Sequence, residues 1–499
     1  MREFKIKFLF RFLFFMISGL SLAQETSMVL PGGITRLRYV NANTSDFSQE
    51  FKNNSEKRSL VHELNRTVNQ EQILQAGSQI ESQAIKNELS KFNQLSSLGN
   101  IYNDLNLKPN PQSNNDFDVD NNTVNTLLGV DMSANTKFNV QTHLIAIEHG
   151  LDKNLTVGIK IPWVKIENTT GFKVQFNPQS KANIGKLINH VKSSNNINVK
   201  AAKQLVISKT PLAAKFIESL SDEEFMIRFF EPSVRPELIK NVISLANTNL
   251  QNLITNTVHK QAFLAKGYKD PNSFEVMGLS DIEVGFKYRY YNNNFFRAAV
   301  QTGLRLPTTN YKQDLTNILD PGIGDDQLDF AVAVTQDWNF KNGFKIGSFL
   351  EYTYQFADNE ARYIEPDNFN DPGLVPLLEN FYDDEIDRKL GDIVKAEISL
   401  GFPIYKDIIT GYSAYQYKKK FSDKFSGSKD GLNYGFLSEE TDSESHNFEG
   451  GIGFSTIPFV KNNRQFGVPL ELRLKYNHKL GGRYTSDLNF VRADFILYF

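Results

Sequence analysis

The chain has 499 residues, 40% of them hydrophobic, with 55 Lys and Arg against 57 Asp and Glu, a formal net charge of −2. It contains no cysteine, which excludes a disulfide framework, a thiolate metal site, a cysteine nucleophile and a lipid anchor on a cysteine. The near-neutral balance gives no electrostatic basis for binding nucleic acid. Beyond the N-terminal segment, no stretch stays apolar over the ~18 residues that a membrane helix needs.

The first segment reads as an export signal. Arg2, Lys5, Lys7 and Arg11 are basic, Phe8 to Leu22 is mostly apolar, and Ser21-Leu22-Ala23 places small residues where a signal peptidase cuts. This predicts a signal peptide over 1–23, cleaved after Ala23. The leader carries a net +3, so the remainder stands near −5.

Residues 24–52 form a first strand region, in which Pro31-Gly32-Gly33 leads into the alternating run Ile34 to Val40. Over 53–123 the alternation stops: Leu60, Leu64, Ile73, Ile80 and Ile85 sit among Gln, Glu, Asn and Lys, and Asn110 to Asn122 is polar, so the segment reads as helical or loop. Strands resume over 124–166. They break at Leu151-Asp152-Lys153-Asn154, after which Leu155, Val157, Ile159, Ile161 and Trp163 share a face.

From 167 to 278 the chain reads as a mostly helical insertion, too long for a passive loop. Its apolar residues recur at spacings of three and four: Ile184, Leu187, Ile188, Val191; Phe216, Ile217, Leu220; Leu238, Ile239, Val242, Ile243. Ser221-Asp222-Glu223-Glu224 reads as a helix start.

Alternation then holds over 279–499. Ile282, Val284, Phe286, Tyr288 and Tyr290 oppose Glu283, Gly285, Lys287 and Arg289, and comparable runs follow to the end. Short turns fall near Asp152, Asn293, Asn342, Lys406 and Asn462; long connections fall at 53–122, 167–278, 307–325, 357–390, 420–445 and 478–486. Short turns at one end and long loops at the other predict an all-β transmembrane antiparallel up-and-down β-barrel of about twelve strands (range 10–14), with the insertion on the external side. Reading 124–149 as one long, bulged strand or as a hairpin gives the same count.

The last segment, Asn489 to Phe499, alternates Val491, Ala493, Phe495, Leu497 and Phe499 against Phe490, Arg492, Asp494, Ile496 and Tyr498. It resembles the C-terminal assembly signal of bacterial outer-membrane barrels. That resemblance implies recognition of Phe495, Leu497 and Phe499 by the barrel-assembly machinery, contact with outer-membrane lipid, and a location in the outer membrane of a Gram-negative bacterium.

The charged residues fall in the opposite phase to the apolar ones: Glu283, Lys287, Arg289, Arg297, Arg305, Asp329, Glu351, Lys395, Glu397, Glu449, Glu471, Arg473, Lys475, Arg492 and Asp494. A charge facing hydrocarbon near the midplane costs ~2–4 kcal/mol, so this set is expected to line the lumen. There it either lines a solute path or fills the barrel with salt-bridge ladders. Arg289, Arg297 and Arg305, on adjacent strands of one hairpin, are the candidates for a basic rung.

Enzymatic signals are poor. The seven histidines show no metal-binding spacing. Ser443 and Ser445 near His446, in an Asp/Glu/Ser loop, are weak evidence for a hydrolase site. Neither a metal nor a cofactor is expected, and the chain reads as a non-enzyme.

Three stretches resemble a known family. They are Ile147-Glu148-His149-Gly150-Leu151-Asp152-Lys153-Asn154-Leu155 with its continuation to Val164, Gly278-Leu279-Ser280-Asp281-Ile282-Glu283-Val284-Gly285-Phe286, and Gly303-Leu304-Arg305-Leu306-Pro307-Thr308. Together they are similar to an outer-membrane barrel family of transporters linked to phenol meta-cleavage degradation. The resemblance covers most of the β part but neither the helical insertion nor 53–122, and it implies fold and location more directly than substrate. A small hydrophobic or aromatic solute is what it implies, whereas the charged lumen argues for something more polar. Two readings stand: a channel or transporter for passive passage of a small solute, and a structural or surface-interaction barrel with a closed lumen whose helical insertion binds a partner.

Overall fold

The computed structural model describes residues 27–69, 129–183, 199–225, 269, 273–364, 382–459 and 469–499, excepting 55, 63, 64, 210, 222, 223, 312 and 318. The leader, most of 53–123, the turn near Asn462 and most of the helical insertion lie outside the described residues.

Twelve strands form the barrel. The first six are β1 (Thr35–Thr44), β2 (Val130–Gly150), β3 (Leu155–Phe176), β4 (Ile282–Asn292), β5 (Phe296–Leu306) and β6 (Asp329–Asn339). The others are β7 (Lys345–Gln355), β8 (Ile393–Tyr405), β9 (Ile409–Lys420), β10 (Ser443–Ser455), β11 (Leu470–Arg483) and β12 (Phe490–Tyr498). Each pairs antiparallel with the next, and β12 returns to β1 from Arg36↔Tyr498 to Thr44↔Phe490. The sheet is therefore a closed up-and-down barrel without a free edge. Phe499 completes the seam by exchanging backbone hydrogen bonds with Thr35, at 2.8 and 3.0 Å.

The turn end is built from chemistry that the sequence displays. Gly343 takes φ +88° in the turn between β6 and β7, a conformation that glycine adopts without a Cβ clash. Lys406 and Asp407 both take positive φ between β8 and β9, the paired left-handed geometry of a tight hairpin turn.

The β2–β3 hairpin differs from expectation in two ways. Val130–Gly150 is one long strand, but its register with β3 runs unbroken from Val130↔Phe176 to Gly150↔Thr156, so it carries no bulge there. The third strand also continues ten residues past the predicted boundary at 166. Glu167-Asn168-Thr169-Thr170-Gly171 has weak strand propensity, and its pairing with the apolar-alternating β2 holds it extended. Barrel neighbours reach only 141–149 of β2 and 155–160 of β3, so the hairpin projects beyond the loop end. Arg66–Val68 and Phe274–Leu279 add to its flanks. Pro162, which brings no N–H to a ladder, lies where the partner of β3 changes from β4 to Phe274–Leu279.

Two small three-stranded sheets stand at the loop end. One joins Gln49–Phe51, Lys57–Ser59 and Thr485–Ser486, the other Asp358–Tyr363, Tyr382–Lys389 and Lys424–Ser426. In the insertion, α1 (Val199–Lys209) and α2 (Ala214–Ser219) pack Ile217, Leu220 and Phe225 against Val206 and Ile207. Ser221 and Glu224 cap each other reciprocally, at 2.9 and 3.0 Å, so the predicted start is a capping box.

The outer wall is apolar. Leu350, Ile398 and Ile452 are each more than half exposed. Aromatic rings gather at the turn end, where Phe295 meets Phe340, Phe296 meets Trp338 and Phe344 meets Phe402. A second group with Tyr354 and Phe356, and with Tyr415, Tyr417 and His446, marks the loop end. From Phe344 to Tyr354 the chain spans about 33 Å, which at a strand tilt of about 40° projects to about 25 Å, the height of an outer-membrane apolar band.

Candidate functional site: a half-filled lumen

The charged phase of every strand turns inward, and it does two different things on opposite sides of the bore. Across β8 to β12 and β1 the charges fill it. Arg492, only 1% exposed, holds Asp494 through Nε and Nη2 at 2.7 and 3.2 Å, and Arg38 donates to the same carboxylate at 2.6 Å. Lys475 bonds Glu449 at 2.9 Å and lies 4.2 Å from the Tyr412 ring centroid. Tyr412 and Gln416 donate to Glu397 at 3.2 and 3.1 Å, and Asn477 donates to Gln416 at 3.0 Å. Arg473 and Tyr498 both donate to Glu471, at 2.5 and 3.1 Å. These groups stitch six strands, including the closing seam.

Across β3 to β6 the bore is hollow. Gly158, Gly285, Gly303 and Ala331 meet in register on four successive strands. A Cβ on Gly285 would lie 2.5 Å from the Thr302 carbonyl oxygen, so glycine is required where that backbone comes close. Beside this bare wall lies a cavity of about 140 Å³. Its polar rim includes Lys160 bonded to Glu283 at 2.9 Å and Lys395 bonded to Glu351 at 2.7 Å. Arg305 pairs with Asp329, and Arg36 with Glu148. Its apolar lining includes Met28, Leu30, Phe349 and Ile393.

Met28 and Leu30 belong to a segment that crosses the bore near the turn end. Ser27 donates to Asp337 on β6 through its N and Oγ, at 2.7 and 2.5 Å, and Leu30 N donates to Thr156 on β3 at 2.9 Å. Val29 and Leu30 are buried. Gly33 and Gly150 tie the segment to β2 through backbone bonds. At the other end, the 307–328 loop covers the hollow side. Asp281, buried between Leu279 and β4, accepts from Thr308 N and Thr309 N at 3.3 Å each and from Asp325 N at 3.4 Å. Ser280 Oγ donates to the Ile323 carbonyl at 3.1 Å, and Arg388 donates to that of Asp325 at 2.8 Å.

Burial, reinforced by the neighbouring Asp325 carboxylate, pushes Asp281 up to about 7. For a carboxyl raised in the folded state, stabilisation is full below its ordinary pKa and is lost as pH rises through the raised value. The 307–328 loop is therefore expected to loosen between about pH 4 and 7. Protection of its amides, taken relative to intrinsic exchange at each pH, should fall over that range in the natural protein and stay flat in Asp281→Asn; an equal pH response in both would refute the assignment.

The predicted basic rung does not form. Glu283↔Arg305 and Arg289↔Ala299 lie six residues apart along one hairpin, about 20 Å. Arg305 engages Asp329 and Asp325 at the loop end. Arg289 bonds Asn154 and the Lys153 carbonyl at the turn end, and Arg297 stands opposite Asp337. Three arginines in one hairpin phase look adjacent in a sequence, but strand rise separates Arg305 from Arg289 and Arg297, which stay together at the turn end.

Lys287 lines the cavity. Phe495 and Phe499 face outward. His446 also faces outward, where its Nδ1 meets Tyr415 OH at 2.6 Å, while Ser443 and Ser445 face the lumen. Opposite faces of one strand cannot supply a serine–histidine pair. The residues that sequence reasoning did not single out include Arg36, Arg38, Glu148 and Lys160. The alternation of Arg36 and Arg38 within the first strand was the available signal.

No family model and no curated protein matches the chain. Among solved structures, the COG4313 outer membrane channel from Pseudomonas putida F1 is similar over 96% of this chain and 100% of its own, with 8% identity and a TM-score of 0.45. The CymD monoaromatic hydrocarbon channel covers 94% and 88%, at 6% identity and a TM-score of 0.26. The TodX deltaS2S3 mutant monoaromatic hydrocarbon channel covers 95% and 91%, at 9% identity and a TM-score of 0.29.

Proposed function

We propose that this chain is an outer-membrane barrel that holds and passively passes a small solute along the hollow side of its lumen. The supporting observation is the division of the bore. Close backbone accounts for Gly285 by itself, but a lumen meant only to hold the barrel together would fill the space beside Ala331 with a longer side chain, whereas a solute path needs the whole row bare. The cavity is close in size to an engineered pocket of ~150 Å³ that accommodates benzene, so the solute is small. Apolar Met28, Leu30 and Phe349 suit a hydrophobic or aromatic body, and the paired charges suit a polar substituent. Purified protein in planar bilayers and in liposome-swelling assays tests this. Ala331→Trp, which projects a ring into the cavity, should cut passage about tenfold, the scale set by losing a well-fitted path. Passage that is absent in the natural protein, or untouched by Ala331→Trp, would sink the reading.

The second reading, a closed barrel whose insertion binds a partner, draws on the filled half, the Ser27–Leu30 segment and the 307–328 loop. It predicts no conductance, with a partner retained through the insertion.

Export through the 1–23 signal and insertion by the assembly machinery through the last strand complete the proposal. Phe499→Ala keeps both backbone bonds to Thr35 and removes only the outward ring. It should lower the heat-modifiable folded fraction in outer membranes, and deletion of Phe499 should lower it further. Undiminished folded protein in both would remove Phe499 from the assembly signal.

A further inference from the structure

One row nearer the turn end than the bare wall, the cavity is edged by Thr156, Lys287, Gln301, Ala333, Glu351 and Lys395, in register across β3 to β8. The other polar members of this row are engaged. Thr156 Oγ1 accepts from Leu30 N at 2.9 Å. Glu351 bonds Lys395 at 2.7 Å and accepts from Thr353 at 3.3 Å. Lys287 is among the cations acting on the Glu148 carboxylate. Gln301 differs: its Nε2 is enclosed and has no hydrogen-bond partner among the described residues. Thr302 Oγ1 is also enclosed without one, but Thr302 alternates with Gln301 and so belongs to the outward phase. Gly303 is the next residue on the Gln301 face toward the loop end, and Ala333 stands opposite on β6. The amide therefore borders the bare wall, with nothing bulkier than a methyl group on those two sides. An enclosed amide donor left unmade is unfavourable, and buried donors in folded proteins are nearly always partnered. The row is completed by an oxygen acceptor that arrives in the cavity.

From this placement we infer that Gln301 is the specificity-determining residue of the cavity, donating Nε2–H to the carbonyl oxygen of a small neutral solute with an apolar body. Charge selects the neutral form. The rim groups are engaged with one another, as Lys160 with Glu283, Arg305 with Asp329 and Arg36 with Glu148. An ionised solute would lose its hydration there and disturb those pairs. Met28, Leu30, Phe349 and Ile393 supply the surface for the apolar body, so aromatic and alicyclic ketones and aldehydes are the class that fits. A trapped water would satisfy the amide equally, but exchanging it for a carbonyl would gain little. The inference rests on the reading of the hollow half as a place where solute sits, and it names the class of that solute.

The test is binding of acetophenone and of ethylbenzene, which has a methylene in place of the carbonyl, to the purified full-length barrel in nanodiscs. Each probe is titrated against the natural protein and against Gln301→Leu, so that partition into lipid cancels between the two proteins. Gln301→Leu should weaken acetophenone about fivefold, the scale of one hydrogen bond, and leave ethylbenzene within about twofold. Gln301→Met, unbranched and close in length, is a second variant and should behave alike. Gln301→Glu, whose carboxylate only accepts, should weaken acetophenone at least as much as Gln301→Leu. Benzoate should bind the natural protein more weakly than acetophenone. Because the leucine removes an unpartnered polar group, Gln301→Leu should keep the heat-modifiable fold and a melting temperature no lower than that of the natural protein. Ala331→Trp is the control that fills the cavity, and it should remove both probes. Acetophenone binding untouched by Gln301→Leu, equal losses of the two probes, or benzoate bound more tightly than acetophenone would overturn the assignment. Binding of both probes that Ala331→Trp abolishes but Gln301 does not influence removes the hydrogen bond alone. Binding of neither probe, or binding that survives Ala331→Trp, removes the hollow half as a solute site and the inference with it.

Discussion

Replacing Asp494 with alanine should destabilise the barrel by about 3–5 kcal/mol, the cost of stranding buried charges by removing their partner. Asp494 receives Arg38 from the first strand and Arg492 from its own, at 2.6 and 2.7 Å, and its side chain is fully enclosed. Without the carboxylate, two buried guanidinium groups face each other across the seam. An exposed pair is the contrast. Lys57–Asp487 at 2.6 Å leaves 41% of the lysine side chain in solvent, and losing such a pair costs about 1 kcal/mol or less. The check is a denaturant midpoint in refolding to detergent, with the unboiled-gel shift as the folded signal. A triple replacement, Arg38→Met with Arg492→Met and Asp494→Leu, should recover most of the loss, because apolar groups of similar size substitute well for a buried ion cluster. A midpoint in Asp494→Ala that matches the natural protein would mean that water, not Asp494, balances those arginines.

Removing residues 24–30 should raise single-channel conductance by about an order of magnitude. Its described part, Ser27 to Leu30, floors the cavity, held by bonds that include Ser27 to Asp337 and Leu30 to Thr156. It contributes no strand to the barrel, so the twelve-strand ladder should survive its loss. Electrostatics changes in the same direction, since Asp337 becomes available to a hydrated cation. The absence of cysteine allows a cleaner version: a Ser27→Cys, Asp337→Cys pair should conduct poorly when oxidised and better than the natural protein when reduced, because the bonds to the Asp337 carboxylate are gone. Conductance that responds neither to deletion nor to reduction would show that the path bypasses this segment.

Much of the architecture is legible in the sequence. Period-two alternation of Phe, Leu, Ile and Tyr against Glu, Lys and Arg marks the strands, and the rhythm of short turns and long loops sets their number and direction. The boundary at 166 misled because Glu167 to Gly171 is extended by its partner rather than by its own propensity. The interior was less legible. Which charges fill and which leave room depends on register between distant strands: Gly158, Gly285 and Gly303 lie far apart in the chain and become one wall only when β3, β4 and β5 align. Arg305 shows the converse, since phase alone puts it with Arg289, while depth puts it with Asp329.

The division of the bore also separates two kinds of tolerance to change. The first and last strands must meet before Arg38, Asp494 and Arg492 can be enclosed, so the charge-filled side is committed to closure and resists substitution one residue at a time. The bare wall from β3 to β6 has no such duty. Its depth can be redrawn by adding or removing single methyl groups at Ala331 or Ala333 while the seam remains untouched. Under the proposed function, a barrel divided in this way can acquire a new solute through drift on one flank, with its assembly held constant by the other.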